Sequence, residues 1–423
     1  MIKKILVSAC LLLSLISFAQ EGSYSPYSFY GIGDQRFKGT AETRAMGGLS
    51  IFADSIHINL QNPASFGSLK WTSFSVGGTN SWATLNTEDR EEKAKRFTLD
   101  YLAVGLPFKK GGIAFGLMPY TSVGYKVQSL QTQIPSPGDT TRIINRFEGN
   151  GGINRVFLGG GYEITSNLRV GVDVNFNFGK VETTSLAQAE GIQFGTREIN
   201  ESRFSGFSAN IGAMYERKIS KKLKGFAAAT FTPQTDLRAV GYRNIATVQI
   251  RQIGGVAIVD QDTIFSDRVS KLKLPSKFSL GFGLGVPRKW QAGAEVTFTG
   301  AKDLQNRVSD FGNARFENAI KYSIGGYYIP NYNSFSSYWD RVVIRAGARY
   351  ENTGLVLNNQ KIRDAAGTLG FGMPIPGLMS NINVNLEYGK RGTKAYGLIE
   401  ENYVNVGIGL SFNDRWFVKR RYD

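Results

Sequence analysis

The chain has 423 residues, of which 42% are hydrophobic, 12% aromatic and 20% charged, and its formal net charge is +16. This amount of apolar and aromatic surface excludes an intrinsically disordered chain, because it can build a large core. With one cysteine (Cys10) and one histidine (His57), the sequence also argues against a Cys/His metal site and against Ser-His-Asp or Cys-His catalysis. We therefore expect no enzyme, no metal site and no cofactor.

The first residues have the features of a secretory signal peptide. Lys3 and Lys4 precede an apolar run over 5–18, and the sequence Ser17-Phe18-Ala19 offers small residues at a cleavage site. Removing residues 1–19 leaves 423 − 19 = 404 residues, a net charge of 16 − 2 = +14, and no cysteine. We expect an exported protein that does not rely on disulfides.

Beyond that segment the sequence alternates between apolar and small or polar residues with a period of two. The run 278–286 places Phe, Leu, Phe, Leu and Val on one face and only Ser and Gly on the other, and 168–178 and 404–412 repeat this pattern. Such alternation predicts half-apolar β-strands. Fourteen strands are predicted near 71–82, 98–107, 112–130, 152–163, 168–185, 203–217, 224–233, 272–286, 290–300, 317–329, 341–351, 367–373, 380–389 and 402–412.

The connections between the predicted strands favour a membrane barrel over a soluble β-sandwich. Short turns such as Lys109-Lys110-Gly111 alternate with long polar segments such as 131–151 and 234–271, and only the gap 330–340 breaks the rule. Long loops at one end and tight turns at the other are typical of outer-membrane barrels. Because 234–271 contains its own alternating run, 240–250, a count of sixteen strands stays open. The predicted fold is all-β, a 14-stranded antiparallel transmembrane β-barrel.

Residues 20–70 lack this alternation and are rich in aromatics and glycines. Folding them inside the barrel would bury their aromatics and give their backbone polar groups partners on the wall. The alternative is a periplasmic extension that docks elsewhere. The predicted organisation is therefore a signal peptide over 1–19, an N-terminal hatch over 20–70, a barrel over 71–412 and a tail over 413–423.

Short motifs in this chain resemble the FadL/TodX family of outer-membrane transport proteins. The resemblance rests on Arg44-Ala45-Met46-Gly47-Gly48 followed by Asn62-Pro63-Ala64, on 274–281 with 290–298, and on 327–350. The opening 24–34 resembles the Bacteroidota branch of that family. The resemblance implies a fourteen-stranded barrel with a luminal hatch, and uptake of fatty acids or aromatic hydrocarbons that leave through the barrel wall.

On this resemblance, the candidate gating residues are those of the hatch. Five residues are singled out: Gly47, Gly48, Asn62, Pro63 and Ala64. Proline fixes its own φ and asparagine can bond to nearby backbone, so Asn62-Pro63-Ala64 predicts a rigid turn. An ordered turn without a role in transport is an equally good interpretation.

The C-terminus departs from the family pattern. Phe412 ends a well-formed last strand, yet eleven residues follow it, 413–423. The tail is a candidate docking peptide for a partner protein, a cap that returns into the barrel, or a solvated extension with lipid-facing Trp and Phe. Its basic and aromatic residues are Arg415, Trp416, Phe417, Lys419, Arg420 and Arg421.

Two functions are therefore expected. The first is an outer-membrane channel for passive uptake of hydrophobic small molecules, which predicts an apolar cavity and a gap or kink in the wall. The second is a non-transporting barrel subunit of a secretion or assembly complex in Bacteroidota, which a filled and sealed lumen would favour. The expected location is the outer membrane of a Gram-negative bacterium with both termini periplasmic. Lipid, lipopolysaccharide, a hydrophobic ligand and envelope proteins are the candidate partners, and nucleic acid is not.

Overall fold

The computed structural model describes residues 23–136, 139–251, 255–302, 304, 314–376 and 379–416. The predicted signal peptide, 1–19, lies outside the described residues. None of the helices in these ranges is long and apolar enough to cross a membrane. The strands are β1 Asp34–Gln35, β2 Thr72–Asn86, β3 Glu91–Phe108, β4 Gly111–Ser136, β5 Asp139–Glu163, β6 Leu168–Ala189, β7 Phe194–Lys218, β8 Lys224–Thr232, β9 Thr235–Arg251, β10 Gly255–Leu274, β11 Ser276–Val286, β12 Trp290–Gly300, β13 Ala314–Phe316, β14 Ala319–Tyr328, β15 Val343–Leu357, β16 Gln360–Pro374, β17 Asn381–Gly392 and β18 Glu400–Asp414.

The strands form one closed antiparallel barrel, in which β18 pairs with β2 from Glu400↔Asn86 to Asp414↔Thr72. Pro233 and Pro275 interrupt two of the wall strands, so that β9 continues β8 and β10 continues β11. Proline lacks the N–H that a ladder needs, which explains both breaks. With these two pairs merged, and with the short β1 and β13 outside the wall, fourteen strands enclose the lumen. The predicted fourteen-stranded barrel is confirmed, and the run 240–250 adds no further wall strand.

The predicted loop lengths are wrong on one side of the barrel. Residues 131–136 belong to β4 and 139–151 to β5, and these strands stay paired out to Ser136↔Asp139. Residues 235–251 form β9, and 255–271 form most of β10. Above the apolar belt both sheet faces meet water, so polar residues there are compatible with strands as well as with loops. We call this side the hairpin end. The opposite side, the turn end, carries the connections 109–110, 164–167, 219–223, 287–289, 329–342 and 375–380.

The two faces of the wall differ as the alternation predicts. On β11, Phe278, Leu280, Phe282 and Leu284 point outward and are 40–60% exposed. Inward-facing residues are polar and buried, including Asp173, Asn175 and Asn177 on β6. An apolar exterior around a polar interior is the arrangement of an outer-membrane barrel.

Residues 23–71 lie inside the barrel, and we call them the luminal segment. Their regular structure is short: 3₁₀ turns at Pro26–Phe29 and Pro63–Ser68 and one helical turn, α1, Ala41–Ala45. Phe29 and Ile32 pack on the extended sheet of the hairpin end, and Ile58, Leu60 and Phe66 pack near the turn end. The segment thus holds most of its apolar side chains against the inner wall.

Candidate functional site

One anchor of the luminal segment is the turn Asn62–Ser68, which rests on a row of four glycines. Each glycine pairs with the next across neighbouring strands: Gly112 of β4 with Gly161 of β5, then Gly171 of β6, then Gly212 of β7. A Cβ on Gly161 would lie 2.5 Å from the nitrogen of Gly67 and 2.6 Å from the oxygen of Pro63. Only a side chain of one hydrogen allows backbone to approach backbone this closely. We call these four residues the first glycine row.

A second glycine row lies on the other side of the lumen. Gly283 of β11 pairs with Gly293 of β12, which pairs with Gly325 of β14, which pairs with Gly347 of β15. The segment Met46–Ile51 rests on this row. A Cβ on Gly325 would lie 2.5 Å from the oxygen of Met46, and one on Gly283 would lie 2.9 Å from the Cδ1 of Ile51.

The sequence-predicted gating residues lie at these two anchors. Asn62 is fully buried, its Oδ1 accepts a hydrogen bond from the Ala64 nitrogen at 3.1 Å, and its Nδ2 donates to the Ala213 oxygen of β7 at 3.4 Å. Gly47 has φ +69° and donates its N–H to Oγ1 of Thr368 at 3.0 Å. Gly48 has φ +83° and packs against Phe37. The structure gives all five residues a place in ordered contacts, and their role in gating stays a prediction.

Charged and polar groups tie the rest of the luminal segment to the wall. Asp34 pairs with Arg391 of β17 at 2.8 Å and with Arg96 of β3 at 3.8 Å. Arg44 pairs with Asp100 of β3 at 3.5 Å. These pairs are partly shielded from solvent, so removing one partner would leave a shielded charge without compensation. Ion pairs and glycine rows together fix the segment on opposite sides of the barrel.

A cavity of about 330 Å³ remains between the luminal segment and the wall. The uptake hypothesis predicts an apolar cavity, and that expectation is wrong for this one. Its cationic lining residues are Arg36, Lys38, Arg44, Arg96, Lys277, Lys321, Arg349 and Arg391, and its acidic ones are Asp34, Asp100, Glu295, Glu351, Asp364, Glu387 and Glu401. A cavity lined by charges favours water and ions over a hydrocarbon.

The predicted irregularity of the wall is present between β3 and β4. Their pairing ends at Leu102↔Leu117, and above this point the edge of β4 pairs instead with β1, Gln35↔Thr121 and Asp34↔Ser122. A register shift interrupts the β4–β5 ladder beside it, between Pro119 and Thr121. The luminal segment therefore takes the place of β3 at this point of the wall.

His57 lies where the luminal segment reaches the turn end. Its Nδ1 is 2.6 Å from Oδ2 of Asp54, its Nε2 is 3.7 Å from Oε1 of Glu42, and Asn381 of β17 is 3.3 Å from the same nitrogen. Burial lowers the pKa of the imidazole, but the two carboxylates outweigh it and raise the pKa above its ordinary value. The contacts of His57 thus join loop 54–57 to α1.

The described part of the tail is short. The guanidinium of Arg415 lies over the ring of Trp71, 4.4 Å from its centroid, and Trp416 is 55% exposed. Phe417, Lys419, Arg420 and Arg421 lie outside the described residues. The turn end also has exposed aromatic rings in the connection 329–342, those of Phe335 and Trp339.

Sequence reasoning missed the two glycine rows and the luminal ion pairs. The glycines are visible in the sequence as strand residues facing inward, but the alignment of each row depends on the register of four neighbouring strands. The sequence signal for these rows is a set of inward-facing glycines at the same height in several neighbouring predicted strands.

Comparison with known proteins adds the family and the fold. A family model described as BamG matches residues 1–423. No curated protein sequence matches this chain. Among solved structures, the CymD monoaromatic hydrocarbon channel is similar over 91% of this chain and 100% of its own, with a TM-score of 0.59 and 12% identity. The P. putida toluene transporter TodX is similar over 90% of this chain and 100% of its own (TM-score 0.56, 15% identity), and a Pseudomonas aeruginosa FadL homologue over 90% and 98% (TM-score 0.53, 10% identity). At these identities the likeness shows the fold alone.

Proposed function

Because this chain belongs to the BamG family, and because its luminal segment is anchored on two sides of the wall, we propose that it is a non-transporting barrel subunit of an outer-membrane secretion or assembly complex. The observation that carries the proposal is the seating of the luminal segment on the two glycine rows. Backbone packed on backbone leaves no soft side chains to rearrange, so moving this segment would break both contacts at once. The family assignment is compatible with this function.

The charged cavity supports the same proposal. A hydrophobic ligand in it would have to desolvate ion pairs such as Arg349 with Glu387, which are 2.7 Å apart. Desolvating charges without new partners costs roughly several kcal/mol per ion. A scaffold function does not require any ligand to displace these pairs.

The tail and the turn end are the proposed contacts with the complex. Trp416, Phe335 and Trp339 are exposed aromatic residues. Aromatic residues and arginine are enriched in protein interfaces. The basic residues Arg415, Lys419, Arg420 and Arg421 would add charge attraction to an acidic partner.

The test separates movement of the luminal segment from its presence. A Cβ on Gly409 of β18 would lie 2.7 Å from the Cβ of Ala41 in α1, about 1 Å nearer than in a disulfide. The same Cβ would lie 2.6 Å from the hydroxyl of Tyr101, so the double variant A41C/G409C cross-links the segment to the wall once Tyr101 moves aside. The mature chain is expected to hold no other cysteine, and A41C alone is the matched control. The reduced form of the double variant carries the same change at Gly409 and is a second control.

We expect oxidised A41C/G409C to support growth and to co-purify with its envelope partners at the same stoichiometry as A41C. Loss of both on oxidation, with recovery on reduction, would contradict the scaffold proposal. It would show that the luminal segment must move.

A second candidate function, uptake of a hydrophobic molecule, is favoured by the separation of β3 from β4 beyond Leu102. On this alternative the ligand would leave through the wall where β1 lies on the edge of β4. Toluene or laurate uptake by cells carrying A41C/G409C decides between the two. Uptake that stops on oxidation supports transport, and uptake equal to that of cells lacking the protein supports the scaffold.

A further inference from the structure

A small pocket beside the main cavity is surrounded by four cations. Arg36 and Lys38 belong to the luminal segment, Arg155 to β5 and Lys277 to β11. The pocket has a volume of about 50 Å³. A single water needs about 10–15 Å³ on this measure, so the pocket has room for one small polyatomic ion.

These four residues form few direct ion pairs, although carboxylates act on three of them from further away: Asp34 and Asp100 on Arg36, Asp173 on Arg155 and Glu351 on Lys277. Lys38 pairs with Asp173 at 3.5 Å, which is the one ion pair that they form within the described residues. Lys277 donates to Oε1 of Gln35 at 2.8 Å. Arg155 donates from Nε to Oδ1 of Asn177 at 2.9 Å. Neutral amides accept these bonds without cancelling the charge.

Arg36 has donor capacity left over. Its Nε donates to Oγ of Ser122 at 2.8 Å, while its buried Nη2 has no hydrogen-bond partner. A buried guanidinium nitrogen without an acceptor has lost its hydrogen bonds to water and has gained none from the protein, which costs free energy. Burial and the neighbouring Arg96 lower the pKa of Arg36 to about 9, although Asp34 opposes this. Each of these effects would be relieved by an anion in the pocket.

We infer that this pocket is a binding site for a phosphate oxyanion, which joins the luminal segment to strands β5 and β11. A tetrahedral oxyanion presents several acceptor oxygens and two negative charges, and arginine with lysine is the usual protein set for it. Arg36 and Lys38 would bind it from the luminal segment, and Arg155 and Lys277 from the wall. Its role is to neutralise the pocket and to hold the segment in place.

The source of the phosphate is either the free ion or a lipid headgroup. The pocket also borders Met118, Tyr120 and Leu274, apolar or aromatic side chains near the place where β3 and β4 separate. The chemistry at the cations is the same in both cases. The inference does not depend on the proposed function, because a fixed anion fits either a scaffold or a channel.

The test measures thermal unfolding of the purified full-length barrel in a neutral detergent. We expect 10 mM inorganic phosphate to raise the melting temperature of the wild-type protein by at least about 2 °C over sodium chloride of equal ionic strength. In Lys277→Gln this increase should fall by at least half. Lys273→Gln, an exposed lysine on β10 just before the pocket, is the matched control and should keep the full increase.

The phosphate-free measurement makes the test sharper. Since Lys277 adds to the positive charge of the pocket, Lys277→Gln should melt at the same temperature as the wild type or higher when no phosphate is present. A lower melting temperature there would mean that Lys277 is a structural residue, and it would overturn the inference. An equal phosphate effect in Lys277→Gln and Lys273→Gln would also overturn it.

Dodecyl phosphate and laurate distinguish the sources. A larger, Lys277-dependent increase with dodecyl phosphate at 0.1 mM than with inorganic phosphate assigns the site to a lipid headgroup. An effect of inorganic phosphate alone assigns it to the free ion. An effect of laurate without any effect of either phosphate would contradict the inference and would favour the uptake function.

Discussion

The backbone of Gly47 rests directly on the backbone of Gly347, so that a Cβ on Gly347 would overlap the nitrogen of Gly47 and lie 2.9 Å from its Cα. This contact joins the luminal segment to β15 with no side chain between them. The same kind of contact recurs where Asn62–Ser68 meets the first glycine row. At both glycine rows the luminal segment therefore packs against the wall at positions where any residue larger than glycine would clash.

Gly347→Ala is expected to destabilise the protein by about 1–3 kcal/mol, the usual cost of inserting a methyl group into a filled space. The expected measurement is a lower melting temperature in detergent, together with faster protease cleavage between residues 23 and 71. Gly367→Ala on the neighbouring strand β16 is the control, because nothing lies within 4 Å of a Cβ there. Equal melting temperatures for the two variants would show that the contact carries no stability.

Asn62 makes two different bonds, and two variants separate them. Asn62→Ala removes the acceptor for Ala64 and the donor to Ala213, and we expect a loss of about 1–3 kcal/mol. Asn62→Asp keeps the acceptor but turns the donor into a second oxygen that faces the Ala213 carbonyl. If Asn62→Asp were as stable as the wild type, the bond to the wall would be unimportant and the residue would act only within its own turn.

The sequence predicts the strands of the barrel wall far better than it predicts the contacts of the luminal segment. The alternation in 278–286 was sufficient to place β11, because lipid on one side and a polar lumen on the other impose a period of two. The luminal segment has no such constraint. The contact of Gly47 with Gly347, or of Asp34 with Arg391, joins residues about 300 or more positions apart, and their approach depends on the closure of the whole barrel.

The hairpin end shows a different reason for failure. Polar segments such as 139–151 form strands when a neighbouring strand is in register with them. Composition alone does not show whether such a neighbouring strand is present. The loops were predicted from polarity, which reflects contact with water and not the absence of pairing.

Stability should depend on pH through His57, which faces Asp54, Glu42 and the opposing charge of Arg345. Since the pKa of His57 is raised in the folded protein, its contribution is fully present below about pH 6.5. That contribution is lost as the pH rises through the raised value. We expect the melting temperature of the wild type relative to His57→Asn to fall between pH 6 and pH 9.

The control for this prediction is the same pH series on Asp54→Asn, in which the main partner that raises the pKa of His57 is removed. Its pH dependence should be smaller than that of the wild type. A difference between wild type and His57→Asn that stays constant from pH 6 to pH 9 would show that the imidazole does not change its charge in this range.

Arg349 of β15 is the centre of the largest ion-pair group in the described lumen. It lies 2.7 Å from Glu387, 3.5 Å from Asp364 and 3.8 Å from Glu351, and it donates to the Tyr403 hydroxyl at 2.8 Å. Removing the cation leaves several carboxylates facing one another in a shielded space. Breaking one side of a buried pair typically costs about 3–5 kcal/mol. We expect Arg349→Met to lower the melting temperature more than any other single change described above.

The double variant Arg349→Met/Glu387→Gln distinguishes charge imbalance from lost packing. If unpaired carboxylates cause the loss, removing the nearest one should restore a substantial part of the stability, because the remaining acids repel less. Glu317→Gln, which changes an acid near the hairpin end that pairs with Lys361 at 2.9 Å, is the control partner and should restore nothing. If the stability losses of the two single changes instead add up in the double variant, Arg349 acts through packing. The lumen would then be stabilised more by side-chain packing than by charge.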